Sequence, residues 1–475
     1  MCFGGLVLLN ITALTFRGEG LGFAAGDRAV GWRVANTVPG DIVEAEPLET
    51  ERGPRRARLL QVLEPSPDRV ASACEQSERC GGCQLRCVSL PRQHAHKMEA
   101  WRDTLERLAG IAFAPARVHA AAAQDGARGS AVLQAQGSEN SWTLGMRPRG
   151  SRVDKSEASL REGSVPSTAR ESDQGGPAID LARCPAQTPD VRELIAEVRS
   201  RLALLPDTLR SRLGLVRVEG AESLVGGARV VFGVRGEGLS EDERTSLVTA
   251  AGEGRSVLWK KMHASQQGFE VGAAPQVLSG SGELWVRGLD GLELRYGAES
   301  WIPNSLENAR AVGRHLLTVV DELVGPRCAG LVEFGCGVGT HSFELAERAE
   351  RFVGIDRSRS AIRDAEANAA LRQRTGLVFR VGRAERLVRK LASSGVRAEL
   401  AVMHSMRLPF GWQLIRGLRA LGTRFVVHVS PSAMALAKDA ADLAREGFVL
   451  SRLELLDTMP HTYHCMGVSS FERVT

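Results

Sequence analysis

The stretch CEQSERCGGCQ sets Cys74, Cys80 and Cys83 within ten positions, a spacing that suits metal ligation. Four thiolates can complete either a tetrahedral zinc site or an iron-sulfur cluster, and spacing alone does not separate the two. For the fourth ligand the sequence offers Cys87, close at hand, and Cys184 in DLARCPAQTPDV, 101 residues beyond Cys83. A C-G-G-C with a third cysteine six residues upstream argues against several unligated buried thiols. A second stretch, LVEFGCGVGTHSFELAERAERFVGID, has a different chemistry. An apolar strand at 331–334 runs into Gly335, Gly337 and Gly339, a helix follows, and a second strand ends in Asp356, 21 residues after Gly335. Glycines at such a turn let the backbone approach a ligand, and an acidic residue ending the next strand can accept hydrogen bonds from both hydroxyls of a ribose.

The elements that must position these groups follow from pattern. With 475 residues, 43% of them hydrophobic, the chain can fill several cores, about three at roughly 150 residues per domain. Nine cysteines, unevenly placed, do not make a disulfide scaffold and point to a reducing, cytoplasmic setting. The opening MCFGGLVLLNITALTF lacks a basic leader and a small-residue cleavage site, and reads as a first strand. No apolar run reaches the roughly 18 residues of a membrane span. The net charge of +5 permits a polyanionic partner without requiring one. Residues 1–70 alternate short apolar runs with Gly and Pro, predicting a small antiparallel β-barrel, with Arg52, Arg55, Arg56 and Arg58 clustered where a phosphate backbone could meet them. Residues 71–111 carry the cysteines and a helix whose Met98, Trp101, Leu105 and Leu108 form one core-facing stripe. Residues 112–299 are mixed, an α+β central domain with a mobile polar insertion at 151–177. From 300 to 475, strand and helix patterns alternate, which implies βα units and a parallel sheet.

The G-x-G-x-G spacing, with Glu333 before it and Thr340 after it, resembles the S-adenosylmethionine site of class I methyltransferases, so that Glu333, Gly335, Gly337, Gly339, Thr340 and Asp356 are the implied cofactor residues. Together with GEGLG, VPGD, EPSPDRVASAC, RCPAQTP and the ending DTMPHTYH, the motifs resemble, in order and over most of the chain, the RNA uracil-C5 methyltransferases, which modify uridine in ribosomal or transfer RNA. The resemblance implies an N-terminal RNA-binding TRAM barrel, a central domain and a C-terminal Rossmann-like methyltransferase domain. It also implies a four-iron four-sulfur cluster held by Cys74, Cys80, Cys83 and Cys184, the last preferred over Cys87 for its Cys-Pro context.

Such enzymes need a thiolate to add at uracil C6 and a base to remove the C5 proton after methyl transfer. The family's V-S-C-N-P turn aligns with HVSPSAMALAKD, where Pro431 takes the place of the nucleophile. The base of the H-x-E motif falls on Met466. D-P-P-R reads His404, Ser405, Met406, Arg407, and F-x-Q-x-N reads Trp301, Ile302, Pro303, Asn304, Ser305. The acidic residue after the third strand becomes Arg383, and Gly335 stands where an aromatic is usual. Cys465 beside Met466 is expected to face away from it, since neighbours along a strand point to opposite faces. His404 could serve as a base, and Cys336 matches a loop cysteine with no catalytic role. Three functions remain open: a family member that binds RNA, cluster and S-adenosylmethionine but lacks the cysteine route, an active methyltransferase with other catalytic groups, and an iron-sulfur redox or scaffold protein. The RNA species and the oligomeric state are not legible.

Overall fold

The structure is a computed structural model describing residues 5–25, 27–48, 55–136, 142–146, 148, 178–220, 224–225, 227–236, 238–262 and 274–474. The insertion at 151–177 and Arg52 lie outside the described residues. The chain divides into two compact units, the first made of Met1–Ser89, Ser130–Glu219 and Val230–Leu278, the second of Leu90–Gly129, Gly220–Arg229 and Ser279–Thr475.

In the first unit, strands Val7–Leu14, Gly20–Ala24, Asp27–Val34, Ile42–Leu48 and Arg55–Glu64 close into a barrel, with the fifth strand between the third and fourth. Period-two alternation drives it: Val7, Leu9 and Ile11 point inward to meet Val34, Val43, Ala45 and Ala57. The expected antiparallel barrel holds except at one pairing, where Trp32–Val34 runs parallel to Arg55–Ala57. The glycines of GEGLG have a steric role. A Cβ at Gly22 would fall 2.8 Å from Ile11 Cδ1, so only glycine lets this strand curl over the barrel interior.

The motif VPGD closes the barrel through one carboxylate. Asp41 is fully buried and accepts from the backbone N–H of Val38 at 2.6 Å and of Ser66 at 2.9 Å. Arg69 donates to both its oxygens, at 3.0 Å from Nε and 2.6 Å from Nη2. VPGD and EPSPDRV thus form one knot immediately before the cysteine segment. A six-stranded sheet completes the unit, in the order Gln276–Ser279, Ser256–Met262, Arg229–Arg235, Leu213–Glu219, Ser130–Gln136, Thr143–Gly145. With it come helices Pro189–Leu202 and Glu241–Ala251, the latter started by a Ser240–Glu243 capping box.

The second unit is an eight-stranded sheet in the order Leu377–Val381, Phe352–Asp356, Leu331–Phe334, Leu400–His404, Phe425–Ser430, Met466–Arg473, Phe448–Leu456, Val118–His119. The first five strands are parallel to one another, and Met466–Arg473 is antiparallel to both its neighbours. Alternate residues feed two cores: Leu400 and Val402 face one side, Ala401 and Met403 the other, as a parallel sheet covered on both faces requires. The strand order reverses beside Leu331–Phe334, the switch point where ligands of doubly wound sheets bind. Helix Leu90–Ala109 buries Trp101 and Leu105 and half-buries Met98 as expected, but Leu108 is 49% exposed because the helix ends one residue later and its last turn leaves the core. Trp101 stacks so closely on the final strand that a Cβ at Gly467 would lie 2.3 Å from its ring. Among the described residues no helix is long and apolar enough to cross a membrane.

Candidate active site and cysteine centre

The ends of three parallel strands bring the glycine loop, Asp356 and His404 together. Gly335, Gly337 and Gly339 all have positive φ, and a Cβ at Gly335 would lie 2.6 Å from the backbone oxygen of His404, which is why no aromatic occupies this place here. Gly337 has nothing within 4 Å of its missing Cβ, so a ligand can lie against the loop. The Asp356 carboxylate accepts from Gly337 N–H at 3.0 Å and Ser358 N–H at 2.8 Å. Two of its roughly four lone-pair positions remain for further donors, as a ribose diol would need. Thr340 Oγ1 lies 3.0 Å from the hydroxyl of buried Tyr296, and burial raises the Tyr296 phenol above its ordinary range.

Glu333 is 1% exposed, and both its oxygens are engaged: Ser342 Oγ donates to Oε2, and His404 Nε2 lies 2.9 Å from Oε1. The His404 ring stacks on His341 with centroids 5.3 Å apart. Burial pushes His341 down to about 4, helped by the neighbouring His404 and opposed by Glu333 and a backbone hydrogen bond at Ala309. His341, Ser342 and Tyr296 were not legible as site residues. The one available signal is that Glu333 and His404 end, or nearly end, strands that prove to be adjacent, with Phe334 paired to Met403.

In the first unit, Cys83, Cys184 and Cys74 all act electrostatically on Cys80. Burial pushes the Cys80 thiol up, the Gly82 N–H at 3.4 Å from its sulfur opposes this, and the nearby Cys83, Cys184 and Cys74 add to the rise. Local turns present the thiols: Ser72 Oγ accepts from Cys74 N–H, Cys80 N–H donates to the Gln76 carbonyl, and Cys184 N–H to the Leu181 carbonyl. Cys87 packs against the small core of Val38, Leu85 and Val88, and its carbonyl accepts from Val70 N–H at 2.9 Å. Of the barrel arginines, Arg56 pairs with Glu19 and Arg58 with Glu46, whereas Arg55 lies 5.3 Å over the Trp32 ring and keeps its charge.

Comparison with known proteins adds to this geometry. A profile described as a methyltransferase domain matches residues 330–398. A 23S rRNA (uracil(1939)-C(5))-methyltransferase of Shewanella amazonensis is 26% identical, over 93% of this chain and 90% of its own. A protein of Gloeobacter violaceus described as an uncharacterized RNA methyltransferase is 25% identical over 99% of this chain and 97% of its own. The crystal structure of the tRNA (uracil-54, C5)-methyltransferase of Pyrococcus abyssi, in complex with S-adenosyl-L-homocysteine, superposes with a TM-score of 0.69 at 18% identity, over 98% of this chain and all of that one. Over most of its length the chain is similar to RNA uracil-C5 methyltransferases.

The residues that the sequence resemblance matches to the family's catalytic motifs lie as follows. The nucleophile turn is present as a turn: Ser430 Oγ accepts from Ser405 Oγ at 2.7 Å and from Ser432 N–H at 3.1 Å, and Ser432 caps the helix Ala433–Arg445. Pro431 sits at its apex without a thiol. Met466 begins the final strand and packs into the core on one face of the sheet, while Cys465 belongs to the core on the other, as strand alternation predicts. Burial pushes the Cys465 thiol up to about 12, which keeps it protonated and unreactive. Cys336 is also buried and raised well above an ordinary thiol, first by burial and then by Glu333 and Asp356. Arg383 is largely exposed and pairs with Glu385 at 2.6 Å. Trp301, Met406, Leu408 and Trp412 are all more than half exposed.

Proposed function

We propose that this family member binds RNA, holds a four-iron four-sulfur cluster at Cys74, Cys80, Cys83 and Cys184, and binds S-adenosylmethionine along the glycine loop, but does not methylate uracil C5 through a cysteine adduct. The observation that carries the last part is the pairing of Pro431 at the nucleophile's turn with a Cys465 that burial holds protonated. No cysteine lies between Cys336 and Cys465, so no shift of alignment supplies another thiol. Met466 cannot accept the C5 proton, so the second half of the reaction is also without its group.

The cofactor reading is supported by the open space at Gly337 and the free capacity of Asp356. Support for the ligand set comes from the electrostatic reach among Cys80, Cys83, Cys184 and Cys74, a donor set of four thiolates that iron-sulfur clusters require. The cluster would supply a structural or redox centre within the first unit. RNA binding, a TRAM identity for the barrel, the division at 70, 111 and 299, and a cytoplasmic setting rest on the family likeness, as the S. amazonensis and P. abyssi proteins act on ribosomal and transfer RNA by name.

A trapping experiment tests the reaction. Fluorine at C5 cannot leave as the proton does, so an enzyme using the cysteine route would stay bonded to C6 of 5-fluorouridine RNA after methyl transfer. Incubation with S-adenosylmethionine and such RNA is expected to give no covalent band on a denaturing gel. A band of protein plus RNA would overturn the proposal.

A further inference from the structure

The glycine-loop end of the sheet joins Glu333, which the resemblance places in the cofactor set, to two histidines that the methyl-transfer reading does not use. Glu333, His341 and His404 each offer a ligand atom, and these atoms lie within 4.8 Å of one another. We propose that these three residues bind one divalent transition-metal ion of the zinc type, with a coordination position left open for water or a substrate oxygen. Two imidazoles and one carboxylate are the donor set of open, non-structural zinc sites and of related metals.

The distances suit an ion. Ligands at about 2.1 Å from a tetrahedrally held metal lie about 3.4 Å from one another, and Glu333 Oε1 and His404 Nε2, 2.9 Å apart, need separate only slightly to admit one. The outer contacts fix the ligands as metal sites do. Ser342 Oγ donates to the other oxygen of Glu333, a backbone hydrogen bond at Ala309 holds His341, and the His404 ring lies against that of His341. Space for the His341 ring depends on Gly313, where a Cβ would come 2.8 Å from the ring carbon Cδ2. An independent sign of a missing partner is that His341 Nε2 is buried and makes no hydrogen bond. A buried polar atom left unpaired in a native fold calls for a ligand or a strain to explain it.

The local field has the right sign. The charged groups acting on nearby Cys336 are the carboxylates of Glu333 and Asp356. A similar trio, His119, His315 and Glu454, differs here: Arg117 and Arg452 both bond to Glu454 and would repel a cation. Position strengthens the case. His404 stands where the family carries the aspartate of D-P-P-R, so the ion would occupy the neighbourhood of the replaced catalytic group. The proposal does not depend on the cluster; it assigns Glu333 to the metal and leaves Gly335, Gly337, Gly339, Thr340 and Asp356 for S-adenosylmethionine.

The test uses the full chain, purified anaerobically with its cysteines loaded with iron, stripped of loose metal, and dialysed against zinc alone. One zinc per chain is expected beyond the iron. Glu333→Gln and His404→Ala should each weaken zinc binding about 10- to 100-fold, whereas His119→Ala should leave it unchanged. Zinc that binds equally well to E333Q and H404A, or no zinc on the parent protein, would overturn the assignment. If the variants fold poorly, cobalt(II) added to the parent protein decides. Ligand-field bands without thiolate charge transfer are expected, and a spectrum dominated by thiolate charge transfer would place the metal at cysteines instead.

Discussion

Replacing Arg69 by methionine should destabilise the first unit by about 2–4 kcal/mol. The structure sets this size. Asp41 is fully buried, and Arg69 supplies two of its four hydrogen bonds among the described residues together with a salt bridge. Removing one partner of a buried ion pair costs roughly 3–5 kcal/mol because the other charge is left uncompensated. The upper part of that range is discounted here, since the Arg69 side chain is 20% exposed and Asp41 keeps the N–H groups of Val38 and Ser66. The lost bond from Arg69 to the Asn36 carbonyl, 2.9 Å, adds back a fraction. For a folding unit of this size each kcal/mol moves the melting temperature by about 2–4 °C, so a fall of roughly 5–15 °C is expected. Urea unfolding of R69M and parent, followed by circular dichroism, measures it. A variant within about 0.5 kcal/mol of the parent would refute the claim that the VPGD carboxylate depends on this arginine.

Three further outcomes follow from the same geometry. Cys184→Ser should abolish the cluster's visible absorption on anaerobic reconstitution, and Cys87→Ser should retain it; the reverse pattern would move the fourth ligand to Cys87. Iodoacetamide at mildly alkaline pH should leave Cys465 unlabelled in the native chain and label it after denaturation, as peptide mass spectrometry would show. Because the Cys465 thiol is raised to about 12 from the ordinary 9.0, its contribution to stability is complete below pH 9 and is lost as pH rises from there through about 12. Stability that did not fall across that alkaline window more in the parent than in Cys465→Ala would contradict this.

The barrel, the amphipathic helix and the parallel sheet were legible because each leaves a period in the sequence. Val7, Leu9 and Ile11 alternate, Trp101 and Leu105 recur at helical spacing, and the glycine loop sits between two apolar strands. The parallel pairing inside the barrel was not legible, since nothing local in Trp32–Val34 encodes the direction of its neighbour. Asp41 and Arg69 appeared in quoted motifs, but their bond joins positions 28 apart and depends on the barrel's closure. Likewise Glu333, His341 and His404 meet only because the strands ending near Glu333 and His404 are neighbours in the sheet. The proposed loss of the catalytic groups rests on Pro431 and Met466 as the sequence resemblance places them. What the fold adds is that Cys465 is sealed in the opposite core and cannot substitute.

The most direct test of the loss of C5 chemistry is nucleoside mass spectrometry. Unmodified ribosomal and transfer RNA would be incubated with anaerobically prepared, cluster-loaded protein and isotopically labelled S-adenosylmethionine, with cofactor binding measured in parallel. A protein lacking both the thiolate and the base should bind cofactor and yield no labelled 5-methyluridine. Labelled 5-methyluridine would contradict the central claim and require a nucleophile other than any thiol between Gly337 and His464.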